Sequence, residues 1–106
     1  MSKQNQKYKF AAVAVDVVIF SIDKGELKVL LIEMKKRPYA GFWATPGGLI
    51  RVDESLDQAA KRQLLTKAGL KNVYLEQLYT FGEVDRDPFG RVVSTAYFAL
   101  IPSPGI

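Results

Sequence analysis

The sequence predicts an α/β domain, and three observations carry the prediction. Strand-like runs stand at residues 10–20, 27–33, 72–81 and 91–101. One capped amphipathic segment, residues 55–68, lies among them. Turn-forming Gly and Pro residues separate the runs. A chain of 106 residues suffices for one domain around one core.

Residues 1–7 are polar and predicted loose. Phe10–Phe20 is rich in β-branched residues and predicts a long strand covered on both faces. Asp16 interrupts it, and a buried acid must be paired or hydrogen-bonded. A hydrogen bond that anchors the strand is the first reading of Asp16, a catalytic role the second. Asp23-Lys24-Gly25-Glu26 predicts a turn, and Leu27–Glu33 the return strand of a hairpin. The basic loop Lys35–Gly41 either meets phosphates or is a solvated turn. Pro46-Gly47-Gly48 predicts a further turn.

The helix is defined by its ends. Ser55 and Gln58 have the spacing of a capping box. Leu56, Ala60, Leu64 and Ala68 draw one apolar stripe. Gly69 suits the left-handed position past a helix end. Asn72–Phe81 and Arg91–Ile101 predict two more strands, joined by the Pro- and Gly-bearing loop 82–91. The final five residues, PSPGI, stop regular structure.

Composition excludes several chemistries. The apolar fraction of 48% and charged fraction of 25% belong to an ordinary globular protein, not a disordered chain. Without cysteine there is neither disulfide nor thiolate chemistry. Without histidine, every Ser-His or Cys-His scheme is out, and any catalysis falls to carboxylates, lysine or tyrosine. A net charge of +4 suits an anionic ligand. The basic residues are scattered and no helix-turn-helix or zinc motif is present, which weighs against nucleic-acid binding by these residues alone. The longest apolar run, Ala11–Ile22, contains Asp16 and Ser21 and reads as a strand, not a membrane span. A cytoplasmic protein is expected.

Residues 48–70, GLIRVDESLDQAAKRQLLTKAGL, carry a longer pattern. Gly48 is followed six residues later by Glu54, and Arg62 comes eight residues after that. Leu64, Gly69 and Leu70 complete it without gaps. This spacing resembles the Nudix box, and Gly41–Gly48 is similar to that family's G-x-W-x-x-P-G-G lead-in. The bland alternative is an amphipathic helix after a Gly-rich turn, and the gap-free frame argues against it. The resemblance implies a Nudix fold: a mixed β-sheet sandwiched with the Nudix helix, its C-terminal helix missing from this sequence. It also implies one domain, residues 1–106, forming the N-terminal part of a longer protein. The sheet face left uncovered suggests a homodimer contact.

Two departures from the family pattern matter. Met34 stands where similar proteins often carry a basic residue. The glutamates that hold Mg²⁺ in active Nudix enzymes are replaced by Gln63, Thr66 and Lys67. These three positions share one helix face. An amide, a hydroxyl and an ammonium are poor ligands for a hard dication. The net charge over residues 54–69 is +1.

LEQLYTFG at 75–82, DRDPFGR at 85–91 and YFAL at 97–100 are similar to one branch of the superfamily. That branch holds ADP-ribose pyrophosphatases and Nudix-related transcriptional regulators of NAD metabolism, whose DNA-binding winged helix is C-terminal and absent from this sequence. The resemblance implies a catalytically impaired domain that binds ADP-ribose or a related nucleoside diphosphate, with no cofactor. The expected ligand-binding residues are Arg37, Phe42, Gly48, Arg62, Asp85, Arg86, Asp87 and Arg91. The arginines suit phosphate oxygens and the aspartates ribose hydroxyls. The same loop could equally be stapled internally by Arg-Asp pairs. Phe42, Trp43, Tyr79, Phe81 and Phe89 could stack on an adenine, although Trp43 and Phe81 are each expected in the core. The alternative is a Mg²⁺-dependent hydrolase in which Glu54 and neighbouring carboxylates replace the missing ligands.

Overall fold

Two adjacent residues with positive φ, Lys24 at 53° and Gly25 at 80°, fold the first hairpin. This is the backbone that a two-residue hairpin turn needs to match the twist of its strands. In the computed structural model, which describes residues 10–35, 37, 39–84 and 90–102, that turn joins β1 (Ala12–Asp23) to β2 (Glu26–Leu30). Two short strands follow, β3 (Ile32–Glu33) and β4 (Trp43–Ala44), and then β5 (Gly47–Leu49). Helix α1 (Leu56–Gln63) comes next and continues as a π-helical turn, Leu64–Ala68. β6 (Tyr74–Phe81) and β7 (Val92–Ile101) complete the fold.

The main sheet runs β2-β1-β7-β6, with β5 also paired to β1. It is mixed: β1 and β7 are parallel over Ala12–Ser21 and Val92–Ile101, and the other pairs are antiparallel. Alternation along β1 buries Val15, Val17, Ile19 and Ser21. β7 adds Tyr97 and Ala99, and the helix adds Ala59, Ala60 and Leu64, to form the core. Small alanines on the inner face of α1 let its backbone approach β1 closely.

Both expected helix caps form. The Ser55 hydroxyl accepts from the Gln58 N–H, and the Gln58 side chain accepts from the Ser55 N–H. Gly69 takes the left-handed conformation, φ 69°. The expected stripe points inward as well: Ala60 and Leu64 are buried, Leu56 and Ala68 half-buried.

Three elements differ from expectation. The single return strand 27–33 breaks at Leu31 into β2 and β3, and β3 leaves the main sheet to pair with β4. The cause is occupancy of the β1 edge. β2 pairs only Ile19–Asp23, because β5 already holds Ala14–Asp16 and the Val17 N–H donates to the Pro46 carbonyl. The expected Pro46-Gly47-Gly48 turn is therefore largely strand. Trp43 and Phe81, expected in the core, are 63% and 40% exposed. Trp43 lies on a two-stranded ribbon, and Phe81 ends the edge strand β6.

Candidate functional site

The connection from β5 into α1 is built around one carboxylate. The Arg51 N–H donates to Glu54 Oε1 at 2.9 Å. Arg62, eight residues along the chain, reaches back with both arms of its guanidinium. Nε donates to Oε2 at 2.9 Å and Nη2 to Oε1 at 2.6 Å. Nη2 also donates to the Leu49 carbonyl at 3.1 Å. This is a bidentate, charge-assisted bracket. The Arg62 hydrogen bond, helped by the Arg51 N–H and both arginine charges, holds the Glu54 carboxyl down at about 2 against the opposing effect of burial. The same bond pushes the Arg62 guanidinium up. Both oxygens of Glu54 are thus engaged in closing the loop.

The bracket makes stability depend on acid. A carboxyl depressed from an ordinary 4.5 to about 2 contributes stability above about pH 4.5, and that contribution is lost as pH falls toward 2. An Arg62→Met variant lacks the contribution throughout. Urea midpoints measured from about pH 6 down to about pH 2.5 are expected to fall more steeply in the wild type than in the variant. Parallel curves would show that the pair adds nothing.

The next face of the helix lies against β5. Gln63 is 3% exposed. Its Nε2 packs so close to Gly48 that a Cβ there would lie 2.8 Å away. Gln63 Oε1 is buried without a hydrogen-bond partner among the described residues. The Thr66 hydroxyl donates back to the Arg62 carbonyl at 2.9 Å, so it serves its own helix. The Lys67 ammonium donates to the Gly47 carbonyl and ties the π-turn to β5. Beneath Gly47, Asp16 accepts from the Ser94 hydroxyl at 2.7 Å, in keeping with a strand anchor.

Two clefts meet at this junction. One, of about 450 Å³, is lined by Asp16, Met34, Tyr39, Gly47, Gly48 and Ser94, among others. The second, of about 340 Å³, is lined by Glu33, Met34, Lys35, Thr66 and Lys67, among others. Met34 borders both.

The expected ligand-binding residues are placed unevenly. Gly48 lines the larger cleft, while Arg62, held by Glu54, lines a separate one with Gln58, Lys61 and Leu65. Phe42 is exposed and meets Tyr39 edge-on at 6.2 Å. Arg37 is exposed in its loop. The Arg91 guanidinium donates to the Gly82 and Glu83 carbonyls at 2.9 and 3.1 Å, closing the neck of loop 82–91. Asp85, Arg86, Asp87 and Phe89 lie outside the described residues. Tyr39 in the cleft and the Lys67–Gly47 contact were missed. Neither has a spacing signal, because both depend on how β5 folds against β1.

A divalent ion fits this donor set poorly. Residues 63, 66 and 67 present an amide, a hydroxyl already in use and an ammonium. Among the described residues, no group of three or more acidic side chains could hold a metal ion. What the face does offer is hydrogen-bond donors and positive charge beside half-buried glycine backbone.

The NUDIX domain family matches residues 11–105. The ADPR responsive transcriptional repressor NtrR of Acinetobacter baylyi is 42% identical over 100 residues, which is 92% of this chain and 40% of the repressor. The ADP-ribose pyrophosphatase of Methanocaldococcus jannaschii is 34% identical over 95 residues, 90% of this chain and 54% of the enzyme. The chain therefore spans about half, or less, of these curated relatives. Among solved structures, a MutT/nudix family protein from Enterococcus faecalis superposes with a TM-score of 0.82 at 35% identity, over 93% of this chain and 40% of that one. The NUDIX domain of Shewanella oneidensis NrtR, crystallised with ADP ribose, gives 0.81 at 37% identity, over 95% and 67%. From its strand order, its helix and these matches, the chain belongs to the Nudix family.

Proposed function

We propose that this domain binds ADP-ribose as the sensor part of a transcriptional regulator and does not hydrolyse it. One observation carries the reading: the helix face that would have to hold Mg²⁺ instead carries Gln63, Thr66 and Lys67, with Lys67 bonded to the Gly47 carbonyl. The relatives supply the ligand class, since one is described as ADPR responsive and another was crystallised with ADP ribose. DNA binding is assigned to a domain C-terminal to these residues; Shewanella oneidensis NrtR has been crystallised with a 27mer DNA. ADP-ribose would regulate it by binding the DNA-competent and DNA-free states with different affinity. Arg37, Phe42, Gly48 and the loop 85–91 are the proposed contacts. Arg62 holds Glu54 and the Leu49 carbonyl, and so closes the connection from β5 into the helix. Exposed apolar residues on the edge strand β6, among them Tyr74, Leu78 and Tyr79, favour a homodimer. No helix among the described residues is long and apolar enough to cross a membrane, and the cytoplasm is the proposed location.

The second reading, a Mg²⁺-dependent ADP-ribose pyrophosphatase, draws on the Methanocaldococcus jannaschii enzyme. One set of samples separates the two. Calorimetry with ADP-ribose in EDTA is expected to give saturable binding. Incubation with ADP-ribose and Mg²⁺ or Mn²⁺ is expected to release no AMP. AMP release that disappears in a Glu54→Gln variant would establish the enzyme instead, and absence of binding in EDTA would count against the sensor. Sedimentation of the same sample reports the dimer.

A further inference from the structure

The face that fails as a metal site still has an electrostatic task. A diphosphate held in the cleft beside Gly47 and Gly48 would bring negative charge that something must offset. Four observations converge on one side chain. The Lys67 ammonium is fixed by donating to the Gly47 carbonyl, at the junction of the two clefts. Neither neighbouring replacement can add charge: Thr66 bonds its own helix, and Gln63 is a neutral amide packed on Gly48. The two carboxylates of this stretch nearest in sequence are both engaged elsewhere: Glu54 is bracketed by Arg62 and Arg51, and Asp57 accepts from the Tyr97 hydroxyl. Finally, Gln63 Oε1 is buried and unpartnered among the described residues, and an acceptor cannot offset a phosphate's charge, which leaves that task to Lys67.

An ammonium has three donors and no acceptor. Gly47 takes one of them, which aims the group and leaves two donors for a ligand. A dication beside this positive charge would be repelled, even with the effective dielectric near a protein surface. A phosphate oxygen would meet the same charge favourably. From this geometry we infer that Lys67 is the resident cation of the site. It takes the place of the divalent ion, so a diphosphate-bearing ligand is held without metal. The inference rests on the sensor reading for the identity of that ligand, and it deepens that reading by naming the group that replaces the metal.

The test has two arms. In the first, the unaltered 106-residue protein is titrated with Mn²⁺ while the amide signals of Gly47 and Gly48 are followed by NMR. They are expected to keep their linewidths. Selective broadening of these two signals at micromolar Mn²⁺ overturns the inference. In the second, ADP-ribose binding is measured by calorimetry in EDTA and again in Mg²⁺, for the wild type and for Lys67→Gln. This variant keeps an N–H donor for the Gly47 carbonyl but loses the charge, and its melting curve reports whether the fold survives. The wild type is expected to bind equally in both buffers, and the variant about tenfold more weakly in both. Equal binding by wild type and variant overturns the inference, as does wild-type binding that needs Mg²⁺. Should the wild type bind no ADP-ribose in either buffer, the sensor reading falls by itself. Inorganic pyrophosphate in the same assay then decides the role of Lys67: binding that the variant loses sustains it, and no binding overturns it.

Discussion

Gly47→Ala is expected to destabilise the domain by about 3 kcal/mol and to lower Tm by about 15 °C. The reason is backbone geometry. A Cβ on Gly47 would stand 2.2 Å from Asp16 Oδ1 and 2.7 Å from the Val15 carbonyl oxygen. Asp16 cannot simply turn away, because its other oxygen accepts from Ser94. The Val15 carbonyl belongs to a strand that is paired on both edges. Relief therefore requires β5 to lift from β1, which removes the wall of the larger cleft as well. Gly48→Ala provides the contrast. Its Cβ would meet the terminal Nε2 of Gln63, the flexible end of a side chain, and a loss of about 1 kcal/mol is expected. Thermal melts of the two variants side by side check the argument. Equal, small losses would show that β5 is not held against β1 as described.

Leu64→Ala is expected to cost about 3 kcal/mol. Leu64 is fully buried in the cluster with Val15, Val17, Ile19 and Tyr97, at the point where α1 widens into its π-turn. Truncation leaves a cavity under the segment that carries Thr66 and Lys67, so the helix face should loosen along with the core. The adjacent Leu65 is 50% exposed, and Leu65→Ala should change stability by about 0.5 kcal/mol or less. Urea denaturation of both variants measures the difference. A Leu65 effect equal to that of Leu64 would mean that the stripe of the last helical turn is assigned to the wrong face.

The helix was legible because its signals are local. A hydroxyl, an amide three residues later and a terminal glycine define the two ends without reference to the rest of the chain. The β5 strand was not legible, because Pro-Gly-Gly is ordinarily a turn signal. Here both glycines lie in a strand; the Asp16 carboxylate leaves no room for a side chain at Gly47, and nothing in the sequence near Gly47 reports Asp16. Burial of Trp43 and Phe81 was misjudged for a related reason. Aromatic residues are often buried, but these two stand on a two-stranded ribbon and at the end of an edge strand, and both are exposed among the described residues. At the candidate site, the spacing of Glu54 and Arg62 marked both residues but not their bracket, which forms only once the loop doubles back. Arg91 was expected to face phosphate or to staple its loop through aspartates. Its contacts among the described residues are with backbone carbonyls, and Asp85 and Asp87 lie outside those residues.

The central pairing of β1 with β7 also governs when this protein can fold. Ala12 lies beside Val92, and Ser21 beside Ile101, so the middle of the sheet joins the two ends of the domain. Contacts this distant along the chain are slow to close. During synthesis, β1 must wait with one long edge of unpaired N–H and C=O groups until residues 92–101 have left the ribosome. That interval is when a chaperone would have most to protect.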